Sequence, residues 1–310
     1  MTDVYREQLL QLGGSNHLVA TLTVPLKCAL RALNGSGARS ADTGNRDRRV
    51  GVLLLNAGVI HRIGPHRINV KMARRLAQAG LPSIRLDLSG LGDSARAGGT
   101  ESMLEQARQD IRAALDQLAA RSGVSRFVIM GICSGAEYAY QYAEQDTRVC
   151  GLVMVDGYSF PTRRTRFLRY GLRLKTLTWP VLRNALQGRL KRWRERSAGT
   201  GADPSTPVDY GLPNVTVQAF AEGLAARVQR GCRIYLVFTG SILQRYNYAN
   251  QFRDAMAQVS LRAAEREAVA RVRCDFVPEI DHTLSTLAGQ RLFIARTGRW
   301  LFKDLLGKRR

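Results

Sequence analysis

One cysteine stands out for its surroundings. The stretch Phe127-Val128-Ile129-Met130-Gly131-Ile132-Cys133-Ser134-Gly135-Ala136 runs from an apolar segment through Gly-x-Cys-x-Gly into a segment with helical character. A side chain presented on a tight strand-to-helix turn needs very small neighbours, because larger ones collide with the strand on one side and the helix on the other. Gly131 and Gly135 meet that need around Cys133. The helix that follows points its N-terminus at the thiol, which favours an anion there and makes a sulfur nucleophile. Reading Ser134 as the nucleophile would put Ile132 and Ala136 in the flanking positions, and β-branched Ile132 fits poorly. Ser134 is expected instead to offer its backbone N–H to a developing oxyanion. A thiol nucleophile wants a base, and the chain has four histidines, His17, His61, His66 and His282. His61 and His66 have no ligand-like partners in the sequence and no zinc-type cluster is visible, so no metal is expected.

The elements that must position these residues form an alternation. Strands are predicted at 17–26, 50–55, 82–88, 127–131, 150–155, 233–239 and 272–277, with helices at 69–79, 104–120, 136–144, 249–259 and 291–306. Strands alternating with helices in this way imply an α/β fold, with a mostly parallel central sheet and helices on both faces. Residues 34–48 are rich in Gly, Ser, Asp and Arg and read as a long loop. The alternation stops between about 158 and 225, where Pro161, Pro180, Pro204, Pro207 and Pro213 fall. The expected organisation is a core of 1–157 and 226–310, interrupted by a helical cap insertion at 158–225.

Four motifs together resemble the α/β-hydrolase fold. They are Asn56-Ala57-Gly58 followed by Gly64-Pro65-His66-Arg67, the run from Asp87 to Ser94, the Gly131–Ala136 turn, and Asp281-His282-Thr283. The resemblance covers about residues 50–300 and is strongest to the serine aminopeptidase-like group. Within that group it leans towards a bacterial branch associated with exosortase and exopolysaccharide loci. In this fold the turn at Cys133 is the nucleophile elbow, normally Gly-x-Ser-x-Gly. Dienelactone hydrolases show that cysteine can serve there. The resemblance implies the chain order nucleophile, acid, histidine, and only His282 follows Cys133. It also implies a second oxyanion N–H from the loop after the strand at 50–55, which places that donor among Ala57, Gly58 and Val59. The segment from Asp87 to Ser94 is structural in the fold, so neither Asp87 nor Asp93 is assigned to catalysis. The usual acid position, after the strand at 233–239, reads Gly240-Ser241-Ile242-Leu243 and holds no carboxylate. Asp156, at the end of the preceding strand, is the leading candidate. Glu279 and Asp281 are the alternatives, Asp281 ranking lower because adjacent side chains rarely face each other. A Cys–His dyad without an acid is the remaining option.

The composition bounds the partners. The chain has 310 residues and a formal net charge of +22, which attracts anionic partners. Five widely spaced cysteines, with no C-x-x-C pair, suit a reducing compartment. No signal peptide and no long apolar run are visible, so the expected location is cytoplasmic, with peripheral attachment at the inner face of the membrane. From Thr162 to Arg196 there are twelve Arg or Lys and one acid, Glu195, interleaved with apolar residues. Such a cap suits an anionic membrane surface or a lipid- or polysaccharide-linked acyl substrate. No nucleic-acid-binding signature is present and no nucleic acid is expected. Two functions fit. One is a hydrolase or acyltransferase on an ester, thioester or lactone that uses no cofactor. The other is a hydrolase-fold protein with an impaired site, acting as a membrane-surface or polysaccharide-assembly binding partner.

Overall fold

The computed structural model describes residues 4–13, 17–26, 49–176 and 211–307. Eight strands make one sheet: β1 (Tyr5–Leu12), β2 (Leu18–Pro25), β3 (Val50–Ala57), β4 (Ser83–Leu86), β5 (Arg126–Ile132), β6 (Val149–Val155), β7 (Arg233–Thr239) and β8 (Arg273–Val277). Their order is β1-β2-β4-β3-β5-β6-β7-β8. β2 runs antiparallel to both β1 and β4, and every pairing from β4 onwards is parallel.

The central strands are apolar runs because both of their faces are covered. All residues of β3 and β6 are buried. Alternate side chains go to opposite faces. Leu53, Leu55, Phe127 and Ile129 join one cluster with Ile111, Leu115, Phe220 and Leu224. Val52, Leu54, Val128 and Met130 join the other with Met72, Leu76, Phe293 and Trp300. The α-helices among the described residues are α1 (Ile68–Gln78), α2 (Met103–Ser122), α3 (Ser134–Tyr142), α4 (Arg163–Thr176), α5 (Val217–Gln229), α6 (Gln251–Met256), α7 (Ala263–Ala270) and α8 (Leu287–Arg299). Their ends obey local chemistry. Ser102, Thr216 and Thr286 accept N–H groups at the starts of α2, α5 and α8. Gly123 ends α2 in the left-handed region, at φ 66°.

The structure departs from the sequence expectations in four places. β1 has no counterpart among them. It is an edge strand on which Glu7, held by Arg74 and Arg85, takes an inward position that pattern alone would give to an apolar residue. The expected helix at 249–259 is only Gln251–Met256, followed by the separate helix α7. The closing helix starts earlier, at Leu287, and loosens into a π-helical turn at Trp300–Leu305 that seats the Trp300 ring on Tyr235. α5 crosses the expected cap boundary at 225 and buries Phe220 and Leu224 in the main core. The loop at 34–48 and most of the insertion, residues 177–210, lie outside the described residues.

Candidate active site

Adjacent parallel strands bring the chemistry together at their C-terminal ends. Cys133 follows β5, Asp156 follows β6, Thr239 closes β7 and His282 lies in the loop after β8. Backbone bonds continue past the strand ends, with Cys133 N donating to Val155 O and Asp156 N to Val237 O, so the two residues are fixed by the sheet itself.

The turn at Cys133 is as tight as its glycines suggest. Cys133 sits at φ 56° and ψ −126°, a conformation that costs a non-glycine residue on the order of 1–3 kcal/mol. A Cβ on Gly131 would come within 2.2 Å of the Gly135 backbone, and one on Gly135 within 2.0 Å of the Asn56 carbonyl oxygen. Neither position admits any other residue without shifting backbone. The same close approach presses α3 against the end of β3, where the Gly58 N–H donates to Ser134 Oγ at 3.1 Å.

Asp156 is fully buried and itself lies in the left-handed region, at φ 50°. Its carboxylate takes three donors: Thr239 N at 2.8 Å, Thr239 Oγ1 at 2.7 Å and His282 Nδ1 at 2.7 Å. Donation through Nδ1 leaves Nε2 of His282 for Cys133. The His282 pKa is pushed up to about 10 from 6.5, first by Asp156 and then by hydrogen bonding with Cys133, against the opposing effect of burial. The imidazole is thus built to hold a proton between a carboxylate and a sulfur. Ser241 Oγ accepts the His282 N–H at 2.9 Å and steadies the loop.

The structure brings Cys133, Asp156 and His282 together, with Ser134 and the 57–59 loop beside them. Asp281 is turned to its own loop, accepting from Thr283 and Ser285, and these bonds hold its carboxyl well below the usual range. Of the three loop positions expected to bear an oxyanion donor, Gly58 has its N–H engaged by Ser134 Oγ, Ala57 remains in register with Ile132 of β5, and Val59 is exposed. Thr239 and Ser241 were not foreseen. No sequence pattern marks them, although a hydroxyl at the end of the strand beside the acid is the only signal available.

His61 corrects an expectation. Its Nε2 lies 3.0 Å from Asp93 Oδ2 and 3.5 Å from Asp87 Oδ2, so it does have carboxylate partners. Folding brings these partners together from a loop about thirty residues away, which spacing in the sequence could not show. The arrangement does not suit a metal, because Arg62 Nη1 already fills the place of a cation, 2.5 Å from Asp87 Oδ2 and 2.8 Å from Asp93 Oδ2. Arg62 is therefore a buried ion-pair partner and not the solvated loop charge its neighbours suggest, while Arg67 is exposed. Asp87 also accepts from Asn56 Nδ2, Arg62 N and Asp93 N, tying the loop after β3 to the loop after β4.

Comparison with known proteins identifies the fold and the family. Residues 57–231, more than half of the chain, match the family described as serine aminopeptidase, S33. An esterase of Pyrococcus furiosus, Pf2001, superposes with a TM-score of 0.52 at 12% identity, covering 97% of this chain and 91% of that one. A Klebsiella pneumoniae protein assigned as a dienelactone hydrolase superposes at 0.50 and 15% identity, covering 99% and 100%. No curated protein sequence matches the chain. Both superpositions show the α/β-hydrolase fold, and the matched residues include the elbow and Asp156: the chain belongs to the serine aminopeptidase S33 family of α/β-hydrolases.

Proposed function

We propose that the protein hydrolyses an ester, thioester or lactone, or transfers its acyl group, with Cys133 as nucleophile, His282 as base and Asp156 as the acid that orients it. The observation that carries this reading is the line from Asp156 Oδ2 through His282, bonded at 2.7 Å, to Cys133 on its strained turn. The solved relatives named as an esterase and a dienelactone hydrolase support the ester-type bond by analogy only.

The steps follow from the geometry. His282 takes the thiol proton, and the sulfur attacks the carbonyl carbon. The carbonyl oxygen becomes an oxyanion beside the start of α3, where Ser134 N–H, the first of the helix, has no intrahelical acceptor. The Val59 N–H is the matching donor from the loop after β3. As the tetrahedral intermediate collapses, the C–O or C–S bond to the leaving group breaks and His282 returns its proton to that group. The resulting acyl-cysteine thioester is then attacked by water, or by a hydroxyl acceptor, whose proton His282 takes and delivers to the departing Cys133 sulfur.

The test is alkylation of the thiol with iodoacetamide across pH, in wild type, Cys133→Ala and His282→Ala, followed by a screen of ester and thioester substrates. Fast labelling confined to Cys133 and slowed by His282→Ala is expected. Labelling at the rate of an ordinary exposed thiol, indifferent to His282, overturns the reading.

A further inference from the structure

The basic stretch that begins at Thr162 has a described beginning in α4, and its surface there is specific. Thr162 and Thr165 are buried, Arg163, Arg164 and Arg166 are exposed, and Phe167 is 78% exposed between them. Phe167 is the most exposed of the large apolar residues described. The root of the helix is fastened to the core. Thr162 Oγ1 bonds the Tyr248 hydroxyl at 2.7 Å, Asn247 Nδ2 donates to Thr165 O at 3.3 Å, and Gln251 Nε2 donates to Phe160 O at 3.0 Å. The Arg164 guanidinium lies 4.7 Å over the Tyr248 ring. The threonines therefore fix which way this first turn faces, and the outward side consists of an aromatic ring among guanidinium groups.

The geometry points to α4 as a docking surface for an anionic lipid bilayer, with Phe167 entering the apolar layer and Arg163, Arg164 and Arg166 meeting the headgroups. Two features argue for a bilayer over another polyanion. An exposed phenyl ring gains by leaving water only where an apolar phase is offered, and arginines beside it suit the plane between that phase and charged headgroups. The charge is one-sided as well, since the sequence from Thr162 to Glu195 contains no acid before Glu195, in a chain of net charge +22. α4 also follows β6 closely, so it rises from the same sheet end as Cys133, Asp156 and His282. Docking through α4 would bring that end towards the lipid. The surface does not depend on Cys133 being the nucleophile.

The experiment is co-sedimentation of the full chain with vesicles of phosphatidylcholine alone and of phosphatidylcholine with equimolar phosphatidylglycerol. Wild type and Cys133→Ala should bind the anionic vesicles equally, and both should detach at high salt. Replacing Arg163, Arg164 and Arg166 by Gln should weaken binding on the order of a hundredfold, at about fivefold per residue. Phe167→Ser should weaken it about tenfold. All these side chains are exposed, and unchanged Cys133 labelling in the variants would show that the fold is kept. Three results each overturn the proposal: no preference for anionic vesicles, triple-variant binding equal to wild type, or binding to duplex DNA as tight as to vesicles together with indifference to Phe167→Ser.

Discussion

Two histidine–carboxylate clusters lie at the same end of the sheet, and they are built for different ends. At one, His282 Nδ1 sits 2.7 Å from Asp156, which among the described residues takes its other donors from Thr239 alone. At the other, His61 Nε2 sits 3.0 Å from Asp93, and Arg62 reaches both Asp93 and Asp87. The residue types are nearly the same. The difference is what satisfies the carboxylate. An arginine cannot give up its charge, so the Asp87 cluster is locked as an ion pair that joins two loops. At Asp156 no permanent cation is present among the described residues, and the imidazole is left to carry a proton that it can also release. A carboxylate beside a histidine therefore does not by itself mark a catalytic pair, and the presence or absence of a fixed counter-charge separates the two cases.

The largest effect expected is from Cys133→Ala, which should abolish turnover of any ester or thioester substrate, by about three orders of magnitude or more. His61→Ala assayed alongside should leave turnover within about twofold, and equal losses in the two would break the distinction between the clusters. Asp156→Asn should slow Cys133 alkylation and turnover by about two to three orders of magnitude, because an amide no longer favours the imidazolium. Next, Arg62→Met should leave Cys133 labelling intact but lower unfolding free energy by about 3–5 kcal/mol in urea titrations, since it strands the buried Asp87 charge. Turnover lost together with little loss of stability would place Arg62 in the chemistry instead.

The pH dependence sharpens the same contrast. Folding raises the His282 pKa from 6.5 to about 10. The protonated ring therefore stabilises the fold in full below about pH 6.5, and that contribution fades as the pH rises through about 10. Urea unfolding of wild type and His282→Gln should show a gap that closes on the alkaline side, and a gap that widens there would contradict the assignment. By NMR titration the His282 pKa should fall more in Asp156→Asn than in Cys133→Ala, following the order of the two causes. The smallest effect expected is on stability from His61→Ala, within about 0.5 kcal/mol by thermal or urea melts, because His61 and Asp93 are both substantially open to solvent.

What could be read from the sequence had a local cause. Gly131 and Gly135 flank Cys133 because backbone meets backbone there, and three residues suffice to show it. The strands β3, β5 and β6 declare themselves because burial on both faces leaves unbroken apolar runs. What could not be read depended on contacts across the fold. Glu7 belongs inside an edge strand only because Arg74 and Arg85 reach it from α1 and β4. Arg62 is buried only because Asp87 and Asp93 arrive from another loop. The bond of Thr239 to Asp156 joins the ends of neighbouring strands and leaves no trace in spacing.

The turn at Cys133 separates what can vary in this protein from what cannot. The contacts that make it rigid are all backbone contacts, from Gly131 to Gly135 and from Gly135 to Asn56. None of them involves the sulfur. A serine at position 133 can take the same place without moving the chain, so oxygen and sulfur are interchangeable fittings on one fixed mount. Changes in reactivity can thus arise by a single-atom exchange, while either glycine, though chemically inert, admits no replacement.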